Sequence, residues 1–235
     1  MNILAFGSHP DDVEATCFGT LMKCKARGDN IFITLTTSGN IGSNLHSSRE
    51  EIAAIREKEA LAAAKFYGAS VDFLRFDDEG VFDTPETRRA FINSIRKADP
   101  DVILTHCPWD GSTDHGMTGK IICEVLLSLP GKLVPADVAP IKKAPSVFFW
   151  DIPGGRCFDP EIYVDIGEYI EQKIEALKCH ESQIPWMNVF IQDDFSEFMR
   201  VLSRFRGTQC GCKYAEGFIG YRYNGYIANP GLLCF

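Results

Sequence analysis

Short apolar, often β-branched runs alternate along this chain with longer stretches of helical period, and few architectures accept that alternation. Residues 2–7 (NILAFG) read as a buried strand. Residues 12–27 follow as a helix, with Val13, Cys17, Leu21 and Cys24 on one face. Residues 31–38 (IFITLTTS) give a second strand, and a Gly-, Asn- and Ser-rich loop runs over 39–47. Over 48–67, Ser48 followed by Glu51 makes a capping box, and Gly68 closes the helix. Strands at 71–76, 101–106 and 145–152 then alternate with helices at 85–98, 116–128, 167–182 and 194–206; residues 130–145 form a surface excursion. The pattern predicts an α/β fold. No repeat or linker interrupts it, and 235 residues suit one domain over 1–235.

In open α/β sheets, ligands collect outside the carboxyl ends of the strands. That rule selects the turn at 7–12, the loop at 37–47 and the loop at 105–115. The first holds Ser8-His9-Pro10-Asp11-Asp12. A helix N-cap explains one aspartate there. It does not explain two carboxylates and an imidazole within four residues, whose crowding calls for a cation. The spacing also lacks the G-x-G-x-x-G of a dinucleotide site. The 105–115 loop carries His106 and His115, either of which completes a three-ligand set with His9 and Asp12. Two nitrogens and one oxygen match a catalytic zinc with a position left for water. Asp11 would then accept the water's proton. His106, at a strand end, reads more readily as a packed core residue or one that supports the ligands.

Five motifs in order tie these segments together. They are Ser8-His9-Pro10-Asp11-Asp12-Val13-Glu14; Arg56-Glu57-Lys58-Glu59-Ala60; Pro100 to His106; Lys173, Ala176, Leu177, His180, Ser182 and Gln183; and Tyr214-Ala215-Glu216-Gly217-Phe218. On them the chain resembles the LmbE-like (PIG-L) family of zinc-dependent N-deacetylases, nearly end to end. The resemblance implies a Rossmann-like, mostly parallel sheet flanked by helices, with the active site at the carboxyl ends of the strands. It implies that His9, Asp12 and His115 hold Zn2+ and that Asp11 is the general base. Glu14 would orient the turn. Arg56 falls where the family places a substrate contact, with a salt bridge to Glu59 or Glu50 as the alternative. His180 and Gln183 would share one helical face.

One position departs from the family. Its second metal motif usually reads H-P-D-H, and here Ser112-Thr113-Asp114-His115 stands instead. A serine hydroxyl donates a hydrogen bond but carries no proton charge near neutral pH. His106, His46 and Asp110 are the candidates to take over at the substrate.

Composition narrows the partners. A net charge of -8 argues against nucleic acid, which needs clustered Lys and Arg. No run of about eighteen apolar residues suggests a membrane span. The start MNILAFGSHPDD does not read as a secretory signal, so the nine cysteines are expected as reduced thiols in a cytoplasmic protein. Composition leaves a small neutral or modestly charged molecule as the expected substrate, and the resemblance implies an N-acetylated amino sugar; a homo-oligomer stays open. The rival readings are an amidase acting on a non-sugar amide and a metal- or sugar-binding homologue with reduced or lost catalysis.

Overall fold

The computed structural model describes residues 1–46, 48–223 and 226–233, so Ser47 of the 39–47 loop lies outside the described residues. Strands β1 (Asn2–Gly7), β2 (Asn30–Thr37), β3 (Ser70–Phe76), β4 (Val102–Thr105), β5 (Ser146–Trp150), β6 (Ile162–Asp165) and β7 (Ala215–Gly220) form one sheet. Their order is β3-β2-β1-β4-β5-β7-β6. The first five pair in parallel, and β7 runs antiparallel to β5 and β6. Helices α1 (Asp12–Thr16), α2 (Phe18–Arg27), α3 (Arg49–Ala64), α4 (Pro85–Ala98), α5 (Thr113–Val125), α6 (Ile170–Leu177), α7 (Ile184–Ile191) and α8 (Phe195–Cys210) accompany the sheet, with a small hairpin of β8 (Arg222–Tyr223) and β9 (Tyr226–Ile227) and short 3-10 turns at Leu126–Ser128 and Pro230–Leu233.

Both faces of the sheet are buried, which is why its central strands read as continuous apolar runs. Ile3, Ala5, Val102, Leu104, Phe148 and Trp150 point to one face and pack with Val13, Leu21, Ala60 and Ile170. Leu4, Phe6, Ile103, Val147 and Phe149 point to the other and meet Phe91, Ile95 and Ile121. The strand order reverses between β1 and β4, so the chain leaves these neighbours toward opposite faces and a crevice opens at their carboxyl ends. Their register pairs Phe6 with Thr105. The 8–12 turn and the 106–115 loop therefore start side by side.

The helix expected over 12–27 is broken at Cys17. The break frees the first amides of α2, and Glu216 of β7 takes them. Gly19 N and Thr20 N donate to its carboxylate at 3.0 and 2.8 Å, and Thr20 Oγ1 donates at 2.7 Å. A carboxylate there satisfies two amides that a helix start leaves open and matches the dipole. Lys173 of α6 completes the arrangement, its Nζ donating at 2.7 Å with both side chains buried. Glu216 thus ties three elements far apart in sequence.

Other boundaries move for identifiable reasons. The helix expected over 167–182 ends at Leu177. His180 and Gln183 lie in turns closed by His180 N to Leu177 O and Gln183 N to His180 O, so they do not share a helical face. The helix expected to begin at 116 begins at Thr113 with Ser112 as its N-cap, which puts His115 in its first turn. Strand β7 escapes a sequence reading because Gly and Glu are poor strand formers. Gly217 is required there, since a Cβ would strike Pro160. Helix α7 (IPWMNVFI) shows no amphipathic period, and none of its residues is buried. Among the described residues no helix is long and apolar enough to cross a membrane, and eight cysteines are free thiols.

Candidate active site

The reversal between β1 and β4 brings three side chains together. His9 Nδ1 faces His115 Nε2 at 3.1 Å. Asp12 lies beside both, with Oδ1 3.4 Å from His115 Nε2 and Oδ2 3.6 Å from His9 Nδ1. A tetrahedral zinc with ~2.0–2.1 Å bonds to nitrogen would hold two ligand atoms roughly 3.3 Å apart, close to these separations. Asp12 Oδ2 is already committed, accepting from Ser8 N at 2.9 Å and His9 N at 2.6 Å, with His106 Nε2 at 3.1 Å. Oδ1 is left as the ligand atom.

The outer nitrogens of both histidines are held. His9 Nε2 meets Asp78 at 2.9 Å and Asp114 at 3.3 Å, and His115 Nδ1 meets Asp110 at 3.2 Å. Such carboxylate–histidine pairs fix the tautomer that leaves the inner nitrogen free to bind metal. These outer contacts also make His106, Asp110 and His115, and His9, Asp78 and Asp114, conceivable ligand groups. Only His9, Asp12 and His115 all line the same open cavity, which Asp110 and Asp114 do not reach.

Charge within the cluster is strongly coupled. Burial disfavours a charged His9, yet hydrogen bonds to Asp114, Asp12 and Asp78 outweigh it and raise its pKa well above the usual value. Burial likewise opposes the Asp12 carboxylate, but the charge on His115 and the contact with His106 hold it well below the ordinary range. The carboxylates outnumber the cationic groups available to them, and a divalent ion fits that deficit. His106 is pulled to about 4 by burial and by His115. It is 1% exposed, stacks on His115 at 4.0 Å and receives Trp150 Nε1 at 3.2 Å. Its place is underneath Asp12.

Asp11 opens the first helix from a left-handed backbone, φ 116°. An L-residue there is strained, and such strain survives only where surroundings enforce it. Arg56 is the enforcing partner. Its guanidinium donates to Pro10 O at 2.6 Å and Gly39 O at 3.0 Å and lies 3.5 Å from Asp11 Oδ2, with no bond to Glu59 or Glu50. Gly39, itself at φ 60°, leaves the room, because a Cβ would collide with that guanidinium. Burial lifts Asp11 to about 6, with Arg56 pulling against it and Asp12 adding to it.

The remaining candidates are scattered. Glu14 is buried against the Tyr67 hydroxyl and His180 Nε2, the latter at 3.0 Å, and so anchors α1 below the site. Asp110 is occupied by His115 and Ser112 N. Ser112 lines the cavity with its side chain in no capping bond. His46 is not brought to the cavity; it lies 3.4 Å from Glu51. Sequence reasoning passed over Asp78 and Glu79, which line the cavity from the carboxyl end of β3, where the same strand-end rule applies. It also passed over Trp186, Met187, Phe190 and Phe195, for which no motif gave a signal.

The family described as PIG-L, GlcNAc-PI de-N-acetylase, matches residues 4–126, just over half of the chain. The chain belongs to the PIG-L family. Its relatives include a diacetylchitobiose deacetylase of Thermococcus kodakarensis, 28% identical over 225 residues that cover 92% of this chain and 81% of the relative. A probable N-acetyl-alpha-D-glucosaminyl L-malate deacetylase 2 of Bacillus anthracis is 27% identical, covering 77% of this chain and 81% of its own. Among solved structures, the N,N'-diacetylchitobiose deacetylase of Pyrococcus horikoshii, complexed with an inhibitor, superposes with a TM-score of 0.82 at 26% identity. That match covers 93% of this chain and 83% of the other. The PIG-L match spans both strand ends that carry His9, Asp12 and His115.

Proposed function

We propose that this protein is a zinc-dependent hydrolase that removes an acetyl or similar acyl group from the amide nitrogen of an N-acetylated amino sugar. The convergence of His9 Nδ1, His115 Nε2 and Asp12 Oδ1 on the wall of an open cavity that Asp11 also lines carries the reading. Relatives named as deacetylases of N-acetylated sugars support it. His9, Asp12 and His115 would hold the zinc, which when bound would supply a Lewis acid for the amide carbonyl and lower the pKa of water toward neutrality.

The chain's own part is proton management and orientation. Asp11 opens onto the cavity and takes the proton of the attacking water. Ser112 stands where the family usually supplies a second-motif histidine, so the departing amine needs its proton from elsewhere. His106 is buried beneath Asp12, Asp110 is engaged with His115, and Asp78 with His9. Among the described carboxylates lining the cavity, Asp11 and Glu79 remain, and Asp11 is next to the ligand set. Asp11 therefore returns the proton it took, and Ser112 contributes a hydrogen bond. Arg56 keeps Asp11 aimed and contributes positive potential where the substrate enters.

After zinc loading and dialysis, the protein is expected to retain about one equivalent of zinc and His115→Ala close to none, measured by elemental mass spectrometry. Full occupancy in the variant rejects the ligand assignment. Acetate release from N-acetylglucosamine and its glycosides tests the reaction; a zinc-loaded protein that releases none rejects it.

A further inference from the structure

Helix α8 runs out into Cys210-Gly211-Cys212. In a continuing helix, side chains two positions apart would not face each other. Gly211 prevents that outcome. At φ 83° it turns the chain back in a left-handed cap, a conformation that glycine adopts at no steric cost. The returning segment is held against the helix. Gly211 N and Cys212 N both donate to Gly207 O at 3.0 Å, and Arg204 Nη1 donates to Lys213 O at 2.9 Å. A Cβ on Gly207 would strike the backbone of Lys213, so only glycine lets the segment lie this close. The turn leaves the Cys210 and Cys212 sulfurs 3.5 Å apart. Cys210 is exposed; Cys212 is half-buried, with its Sγ 3.3 Å from Tyr214 O. Neither cysteine lines the cavity of His9, Asp12 and His115. Among the described residues the three candidate metal groups contain no cysteine, so the two thiols stand as a pair and not as part of a ligand cluster.

We propose that Cys210 and Cys212 form a reversible dithiol–disulfide site, separate from the hydrolytic cavity, whose co-substrate is a low-molecular-weight disulfide such as oxidised glutathione. Exposed Cys210 loses its proton to solvent, and its thiolate attacks one sulfur of the external disulfide. That S–S bond breaks, one thiolate leaves and takes up a proton, and Cys210 keeps the other half as a mixed disulfide. Cys212 then loses its proton and attacks the Cys210 sulfur, and the second external thiolate leaves and is protonated. Two protein thiols are oxidised, and one external disulfide is reduced to two thiols. Burial and the neighbouring Cys210 push the Cys212 thiol up to about 12, which leaves the first attack to Cys210. The bond closes a loop of only three residues, so it removes little chain entropy; being exposed, it stays open to reduction.

The test treats the folded, full-length protein with oxidised glutathione, alkylates the remaining thiols before unfolding, and reads tryptic peptides by mass. Cleavage after Arg206 and Lys213 isolates residues 207–213, which hold Cys210 and Cys212 alone; cleavage after Arg156 and Lys173 isolates Cys157. Peptide 207–213 is expected two hydrogens lighter than its dithiol form, with neither alkyl group nor glutathione, and dithiothreitol should restore both thiols. Cys157, equally exposed, is expected to stop at a glutathione adduct. Cys212→Ser should also stop there, with glutathione held on Cys210. Cys210→Ser should slow modification of the peptide about tenfold or more. Thermal melts check that both variants fold. Two alkylated thiols in 207–213 after the treatment overturn the inference, as does a wild-type peptide that keeps glutathione or is bonded to a second chain. Cys210→Ser reacting as fast as the wild type overturns the assigned order of attack. No outcome depends on hydrolysis, so the deacetylase reading stands or falls separately.

Discussion

Asp11→Asn is expected to lower kcat by about 10²–10⁴-fold, the usual span for a positioned acid–base group, with zinc content unchanged. The substitution keeps shape and removes only the ability to hold a proton. Asp11 is not among the three converging ligand groups, so the metal should remain. Its φ of 116° makes asparagine the right replacement, since Asn tolerates the left-handed region better than other residues. Glu79→Gln is the matched control: Glu79 lines the cavity at φ 60° and its amide donates to Asp114 Oδ2 at 2.7 Å, but among the described residues no hydrogen bond or ion pair fixes its carboxylate. If Glu79→Gln costs as much as Asp11→Asn, the proton returns to the amine from Glu79. If Asp11→Asn keeps normal turnover with zinc bound, the base assignment fails. Loss of zinc in that variant would make Asp11 a ligand instead.

Glu216→Ala is expected to destabilise the fold by about 3–5 kcal/mol, the range for breaking one partner out of a buried ion pair. For a chain of this length, with roughly 2–4 °C per kcal/mol, the melting temperature should fall by about 6–20 °C. The loss strands Lys173, 1% exposed, and uncovers the amides of Gly19 and Thr20 at the start of α2. Lys173→Met should cost less. Glu216 would still accept from Gly19 N, Thr20 N and Thr20 Oγ1. The opposite order in calorimetry would show that the ion pair, and not the helix cap, dominates. Because α1 carries Asp12 and joins α2 at Cys17, either variant should also weaken zinc retention.

The parallel strands and the helices between them were legible because burial on both faces leaves uninterrupted apolar runs, and because the Ser48 cap, whose hydroxyl accepts from Glu51 N, was written in its capping box; the Thr84 and Asp194 caps came only with the structure. Strands β6 and β7 were not. Their sequences, IYVD and AEGFIG, hold too little alternation, and their pairing is set by contacts such as Gly217 against Pro160. Helix α7 was illegible for the opposite reason: it is apolar all round, so periodicity had nothing to register.

At the site, local sequence sufficed to crowd His9, Asp11 and Asp12 into one turn, since a strand end, a proline and a helix start leave those residues little freedom. It could not choose between His106 and His115. Tertiary structure separates them by one helical turn and one strand end: β4 buries His106 under Asp12, and the first turn of α5 swings His115 Nε2 out to 3.1 Å from His9 Nδ1. Nor could sequence assign Glu216, whose motif neighbours say nothing of α2. The reversal of strand order between β1 and β4 is what turns the two short motifs into one site. That order arises from the burial of two sheet faces, a property of the whole chain and of no local segment.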